Sequence, residues 1–256
     1  MNPFGTLYNP SSIAEAIRML LQPEQFTGDD LFQHEGIYHS FSHHSRFSSP
    51  SETECLANIN RRLFSSADTI LKAQRMILTF GTAWVYKLKS SGKVVSNCHR
   101  LPEKMFDRQL LTVGEIVAEW KSLLLSLWKQ NPELKILFTV SPIRHWKDGA
   151  HGNQLSKATL LLAIDALQKE FPEHTAYFPA YEIMMDELRE YRFYADDMLH
   201  PSTTRSNISG NGSQAACFHL IRCQFLKNGR ISKRPLTTSR FNRKAKPIND
   251  SSRKLC

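Results

Sequence analysis

Two compact apolar runs, Met76-Ile77-Leu78-Thr79-Phe80 and Lys135-Ile136-Leu137-Phe138-Thr139-Val140, most constrain what this chain can fold into. Each is too short for a helix of ordinary length and too continuously apolar for a strand with one wet face, so both read as buried strands of a parallel sheet. Amphipathic stretches separate them. Ser51 followed by Glu54 is a capping-box pattern, and Leu56, Ile59, Leu63, Phe64, Ala67, Ile70 and Leu71 carry it forward as a long helix. Thr112-Val113-Gly114-Glu115 starts another helix, which runs through Trp120, Leu124 and Leu127 to about Gln130. A shorter helix is expected after Asn9-Pro10-Ser11, on Ile13, Ala16, Ile17, Leu20 and Leu21, stopping near Pro23. Further helices are expected over about Asn153 to Glu170 and Ala180 to Arg189, with a strand at Thr175-Ala176-Tyr177-Phe178 between them. Strand and helix alternate, which predicts a three-layer αβα fold with a largely parallel sheet.

At 256 residues and 41% apolar content the chain can bury one sizeable core. No run approaches a membrane span, and Met1-Asn2-Pro3-Phe4 lacks the basic and apolar regions of a signal peptide, so a cytoplasmic protein with no membrane partner is expected. Five cysteines without ligand-like spacing suit free thiols. The net charge of +9 suggests nucleic acid until its distribution is examined: residues 205–256 hold 12 lysines and arginines against the single Asp250. The preceding 204 residues are slightly acidic. No interleaved stacking aromatics accompany the basic segment, so no nucleic-acid partner is expected. Residues 205–256 read as a disordered basic tail.

Polar residues follow each apolar run, at the strand ends where ligands of open α/β sheets bind. Gly81-Thr82-Ala83-Trp84 follows the first, although Gly81 could equally serve a turn. Arg144 and His145 follow the second, where an ordinary loop histidine is the competing reading. Asn97-Cys98-His99-Arg100 follows the short apolar piece Val94-Val95 and offers pocket-lining side chains. From Phe26 to Ser49 the chain reads as a long ordered loop whose aromatics pack over the site. His39, His43 and His44 lie in it, but no acidic or thiol group completes a metal-ligand set, so neither a metal nor another cofactor is expected. Asp197, three residues ahead of His200 and followed by Pro201, can orient the imidazole and stabilise its protonated form when it takes a proton from a nucleophile. The same spacing also suits a capped turn with no catalytic role.

Asn2-Pro3-Phe4-Gly5-Thr6-Leu7-Tyr8-Asn9-Pro10, Phe80-Gly81-Thr82-Ala83-Trp84-Val85-Tyr86, Asn97-Cys98-His99, Val140-Ser141-Pro142-Ile143-Arg144-His145 and Asp196-Asp197-Met198-Leu199-His200-Pro201-Ser202 resemble, in order, the blocks of the GSCFA family. That family is similar to the SGNH esterases and acyl-hydrolases. The resemblance implies a serine-dependent ester hydrolase acting on a small-molecule or glycan ester, with His200 as general base and Asp197 orienting it. Gly5 would be the oxyanion-hole glycine, and Gly81 the glycine of the third SGNH block. Ala83 stands where the superfamily has an oxyanion asparagine, leaving Asn97 as a substitute. The Gly-Ser-Cys-Phe-Ala segment itself, whose serine resembles the nucleophile, does not occur in the 256 residues.

The expectation is therefore a partial hydrolase domain over 1–204, lacking its first strand and helix and inactive as it stands. A non-enzymatic binding domain that keeps the pocket is the alternative. Restoring one nucleotide after the Thr204 codon lets the downstream bases encode an amphipathic helix, so 205–256 is expected to be frameshift-derived. Oligomeric state is left open.

Overall fold

A computed structural model describes residues 2–187. The first helix, α1 (Pro10–Leu21), begins where Asn9 accepts a hydrogen bond from the Ser12 amide and Pro10 occupies the first turn, a position that needs no N–H. A small hairpin of β1 (Phe32–His34) and β2 (Ile37–His39) follows, turning at Glu35 and Gly36. Helix α2 (Glu52–Lys72) is capped by Ser51, as its sequence predicts, and leads into β3 (Arg75–Phe80).

The chain then forms β4 (Trp84–Leu88), β5 (Val94–Val95) and β6 (Phe106–Leu110), which pair antiparallel in the order β5-β4-β6 as a sheet of their own. The apolar-run pattern does not reveal this sheet, because Lys87, Asp107, Arg108 and Gln109 interrupt its strands. Helix α3 (Val113–Gln130) starts with a reciprocal capping box between Thr112 and Glu115. It is followed by β7 (Lys135–Val140), α4 (Gly149–Glu170), β8 (Thr175–Phe178) and the short α5 (Ala180–Glu182), which continues as a π-turn over Ile183–Glu187. The helix expected to run from Ala180 to Arg189 is thus a single α-turn that widens, and its last two residues lie outside the described ones.

Strands β3, β7 and β8 form the parallel sheet in the order β3-β7-β8, with Phe80 opposite Val140 and Thr139 opposite Phe178. Paired residues share a face. Leu78, Phe80, Ile136, Phe138 and Val140 belong to the larger apolar cluster, together with Trp120 and Leu124 of α3, Leu160 and Ile164 of α4, and the buried stripes of α1 and α2. On the opposite face Leu137, Ala176 and Phe178 pack with Ala180 and Ile183. The result is an α/β fold with helices against a parallel sheet. One expectation needs correcting in detail: β3 is buried on one face only, since Ile77 is 45% exposed and Thr79 is also exposed, whereas β7 is buried along nearly its whole length.

Trp120 is fully buried, with its ring edge-on to Phe80 and Phe138 at 5.0 and 5.5 Å between centroids. Asn131, just past the end of α3, donates from Nδ2 to the carbonyls of Ile70 and Ala73 at 3.2 and 2.8 Å. It thereby satisfies the end of α2 and ties the α2–β3 corner to the α3–β7 corner. Replacing Asn131 with Ala is expected to destabilise the protein by about 2 kcal/mol in urea unfolding, because the Ala73 carbonyl loses its side-chain donor and the Ile70 carbonyl keeps only the long bond from the Ala73 amide. Leu125→Ala, at a 53% exposed position, is expected to change stability by less than about 0.5 kcal/mol.

Candidate functional site

The extended segment before α1 joins two polar clusters. Its Tyr8 carbonyl accepts hydrogen bonds from the amides of Gly81 and Thr82 at 2.7 and 3.0 Å, at the carboxyl end of β3. Gly81 suits this approach: a Cβ there would lie 3.0 Å from the Tyr8 carbonyl oxygen, a tight contact, and 3.5 Å from its Cα. Gly5, at φ +87°, is in the left-handed region, and a Cβ on it would stand 2.3 Å from the His44 Cβ. Gly81 therefore faces one cluster and Gly5 the other.

The first cluster lies beyond β3 and β7, where the strands diverge. Lys157, on the buried stripe of α4, is only 1% exposed; Nζ donates to the Gly81 carbonyl and, at 2.7 Å, to that of Ser141. Burial pushes its pKa down to about 8. One turn earlier on the same helix Asn153 accepts from the His145 amide at 3.0 Å, and the adjacent Ser156 accepts from the Ala83 amide at 2.8 Å while its Oγ meets Thr82 Oγ1 at 3.1 Å. Arg144 and His145 are half-buried at the end of β7, and the Tyr8 ring stands edge-on to the His145 ring at 6.4 Å. The pKa of His145 is lowered first by burial and then by the positive charge of Lys157, with Asp148 and the Gly81 carbonyl opposing. Beside them the Arg108 guanidinium pairs with the buried carboxylate of Asp148 and lies over the Trp84 ring, 4.0 Å from its centroid.

The second cluster is aromatic and imidazole-rich. His43 bonds to Ser40 Oγ through Nδ1 at 2.9 Å, stacks on Phe4 and meets Phe26 and Phe47 edge-on. His39 bonds to Ser48 Oγ at 2.7 Å and lies 4.6 Å from the His99 ring. His99 Nε2 donates to the Ser40 carbonyl at 2.8 Å, and its buried Nδ1 meets no well-formed hydrogen-bond partner among the described residues. His99 and Arg100 both have positive φ, 49° and 60°. Asn97 holds this strained turn, its Oδ1 accepting from the His99 amide at 2.8 Å. No group of three such ligating side chains among the described residues could hold a metal ion.

The sequence-derived residues thus divide. Gly81, Arg144 and His145 come together at the strand ends, whereas Gly5, Asn97 and His99 join the loop from Phe26 to Ser49, whose aromatics pack around the imidazoles. Asp197 and His200 lie outside the described residues. The amides that could face a developing oxyanion already have acceptors: Gly81 and Thr82 bond to Tyr8, Ala83 to Ser156, and Gly5 to the Asn2 carbonyl at 3.2 Å. Lys157, Ser156 and Asn153 escaped the sequence reading. Their signal was present, because all three fall at helical spacing on the apolar stripe through Leu160, Ile164 and Leu167.

A model described as the GSCFA family matches residues 1–209. No curated protein and no solved structure matches the chain.

The imidazole cluster makes the protein acid-sensitive. Burial lowers the pKa of His43 to about 4 and also lowers those of His39 and His99. Because the folded state favours the neutral rings, their contribution is complete above the unfolded value of about 6.5 and is lost as pH falls towards 4. For His43 alone this amounts to about 3 kcal/mol. Urea midpoints are expected to fall steadily from pH 7 to pH 4.5 with an unchanged slope. His43→Leu is expected to flatten part of that dependence.

Proposed function

Because this chain belongs to the GSCFA family, we propose that its pocket at the carboxyl ends of β3 and β7 is built for an acyl ester, in the manner of the SGNH-type hydrolases that the family resembles. The observation that carries this reading is the convergence of Tyr8, Gly81, Thr82, Arg144, His145 and Lys157 on one end of the parallel sheet, where α/β folds bind their ligands. In this reading His200 is the general base and Asp197 fixes its tautomer and stabilises its protonated form. A half-buried His145 kept neutral by its surroundings and the Arg144 beside it recognise the ester's carbonyl side. The substrate class is a small-molecule or glycan ester.

Attack on the ester needs a serine within hydrogen-bond reach of His200. The family's serine-bearing segment does not occur in these 256 residues, so in this reading they supply the ester pocket and the base but not the nucleophile. The second reading, a non-enzymatic binding domain with the same pocket, is favoured by the amides of Gly5, Gly81, Thr82 and Ala83, which are committed to acceptors within the fold. An oxyanion hole instead keeps such donors aimed at the reacting oxygen, where each contributes about 3 kcal/mol to the barrier. The positive charge of residues 205–256 has no part in either reading.

Purified full-length protein is expected to hydrolyse p-nitrophenyl acetate and butyrate no faster than buffer, with His200→Ala indistinguishable from the parent. It is also expected to leave a fluorophosphonate probe unreacted. Stoichiometric labelling of one serine would show that a nucleophile is present after all. Titration with a short-chain ester is expected to shift the amide resonances of Thr82, Arg144 and His145 saturably. No shift at millimolar ester would count against the pocket itself.

A further inference from the structure

Lys157 carries a charge in an almost fully buried position, and its geometry gives that charge a use. Gly81 and Ser141 are the first residues past β3 and β7, whose last paired residues are Phe80 and Val140. One further bond, from the Ser141 amide to the Phe80 carbonyl at 2.8 Å, continues the ladder, and from there the two chains separate. The Gly81 chain turns into Thr82-Ala83-Trp84 and the Ser141 chain into Pro142-Ile143-Arg144-His145. At the point of divergence the strands no longer satisfy each other's carbonyls, and the Lys157 ammonium supplies donors to both.

Neighbouring contacts have the same character. Ser156 and Asn153, on the same helix, take the amides of Ala83 and His145, so the first turns of α4 bond to both loops. The Tyr181 ring lies 6.0 Å from Nζ and closes the slot on its other side. An ordinary apolar residue at this place would fill the volume but would remove the one side chain that bonds to both loops at once, leaving Ser156 on the first and Asn153 on the second. The ammonium has three donors, reaches two carbonyls on different chains and raises the positive potential at His145.

Resting on the pocket reading above, we propose that Lys157 is a positioning residue, whose ammonium clamps the carbonyls of Gly81 and Ser141 and so fixes the Thr82–Ala83 loop against the loop that presents Arg144 and His145. Ser156 and Asn153 complete the clamp from the same helix. The pocket wall is therefore held by α4 as well as by the sheet and the Tyr8 carbonyl.

Two measurements on the full chain test this. In the unmodified protein, the Lys157 ammonium is expected to give a slowly exchanging nitrogen-15 resonance with scalar couplings through hydrogen bonds to the carbonyl carbons of both Gly81 and Ser141. Coupling to neither, or to only one, overturns the clamp whatever any variant does. In Lys157→Met, amide exchange at Thr82, Ala83 and His145 is expected to rise together by tenfold or more while Trp120 and Leu124 keep their protection. The pKa of His145 should move up, because a neighbouring positive charge is gone. Unchanged exchange at either loop, a uniform rise across the protein, or an unmoved His145 would each overturn the proposal. Should the Met variant not fold, the couplings in the unmodified protein decide alone. Neither measurement uses an ester, so the pocket reading stands or falls separately on the ester titration.

Discussion

The bond pair from Gly81 and Thr82 to the Tyr8 carbonyl is the constraint on which the rest of the site depends. It brings the extended segment before α1 across the end of β3, and it is eased because residue 81 has no side chain to crowd Tyr8. Once that segment is pinned, its earlier residues have little choice. Phe4 stacks against His43, Gly5 passes His44 at a distance no Cβ could tolerate, and Asn9 caps α1. The strand ends and the imidazole-rich loop, far apart in sequence, are thereby brought to opposite ends of one short stretch of chain.

Both clusters place polar groups where water is scarce, and they manage the cost in different ways. The loop cluster keeps its histidines neutral: burial favours the uncharged ring, serine hydroxyls and the Ser40 carbonyl take the ring nitrogens, and the remaining faces meet phenylalanine. The strand-end cluster keeps a cation. Lys157 is held by two carbonyls and an aromatic ring, and burial lowers its pKa only to about 8, so it remains charged at neutral pH. A neutral cluster suits an aromatic wall, whereas a retained charge beside His145 and Arg144 suits a place where a polar ligand is recognised.

Family membership and local geometry bear on different parts of the chemistry. The match to the GSCFA family covers the whole described region and assigns the chain to that family. The geometry gathers polar groups at the strand ends and commits the amides of Gly5, Gly81, Thr82 and Ala83 to acceptors within the fold. Ala83 beside them is fully buried and has no side-chain donor.

The sequence by itself determined the elements whose signals are local. Capping at Ser51 and Thr112, the 3.6-residue stripes of α1 to α4 and the apolar runs of β3, β7 and β8 were all legible, because backbone caps and burial on one face leave a periodic trace. Gly81, Arg144 and His145 were legible as strand-end residues for the same reason. Tertiary structure alone decided the antiparallel β5-β4-β6 sheet, whose strands mix charged and apolar residues because Arg108 lies over Trp84 and pairs with Asp148 instead of facing solvent. It alone separated Asn97 and His99 from the strand ends and gave Asn97 the task of holding a left-handed turn. It alone gave Lys157 its two carbonyls, because the acceptors of a buried charge, 76 and 16 residues away in sequence, are fixed by which strands lie side by side and leave no mark in the chain that carries it.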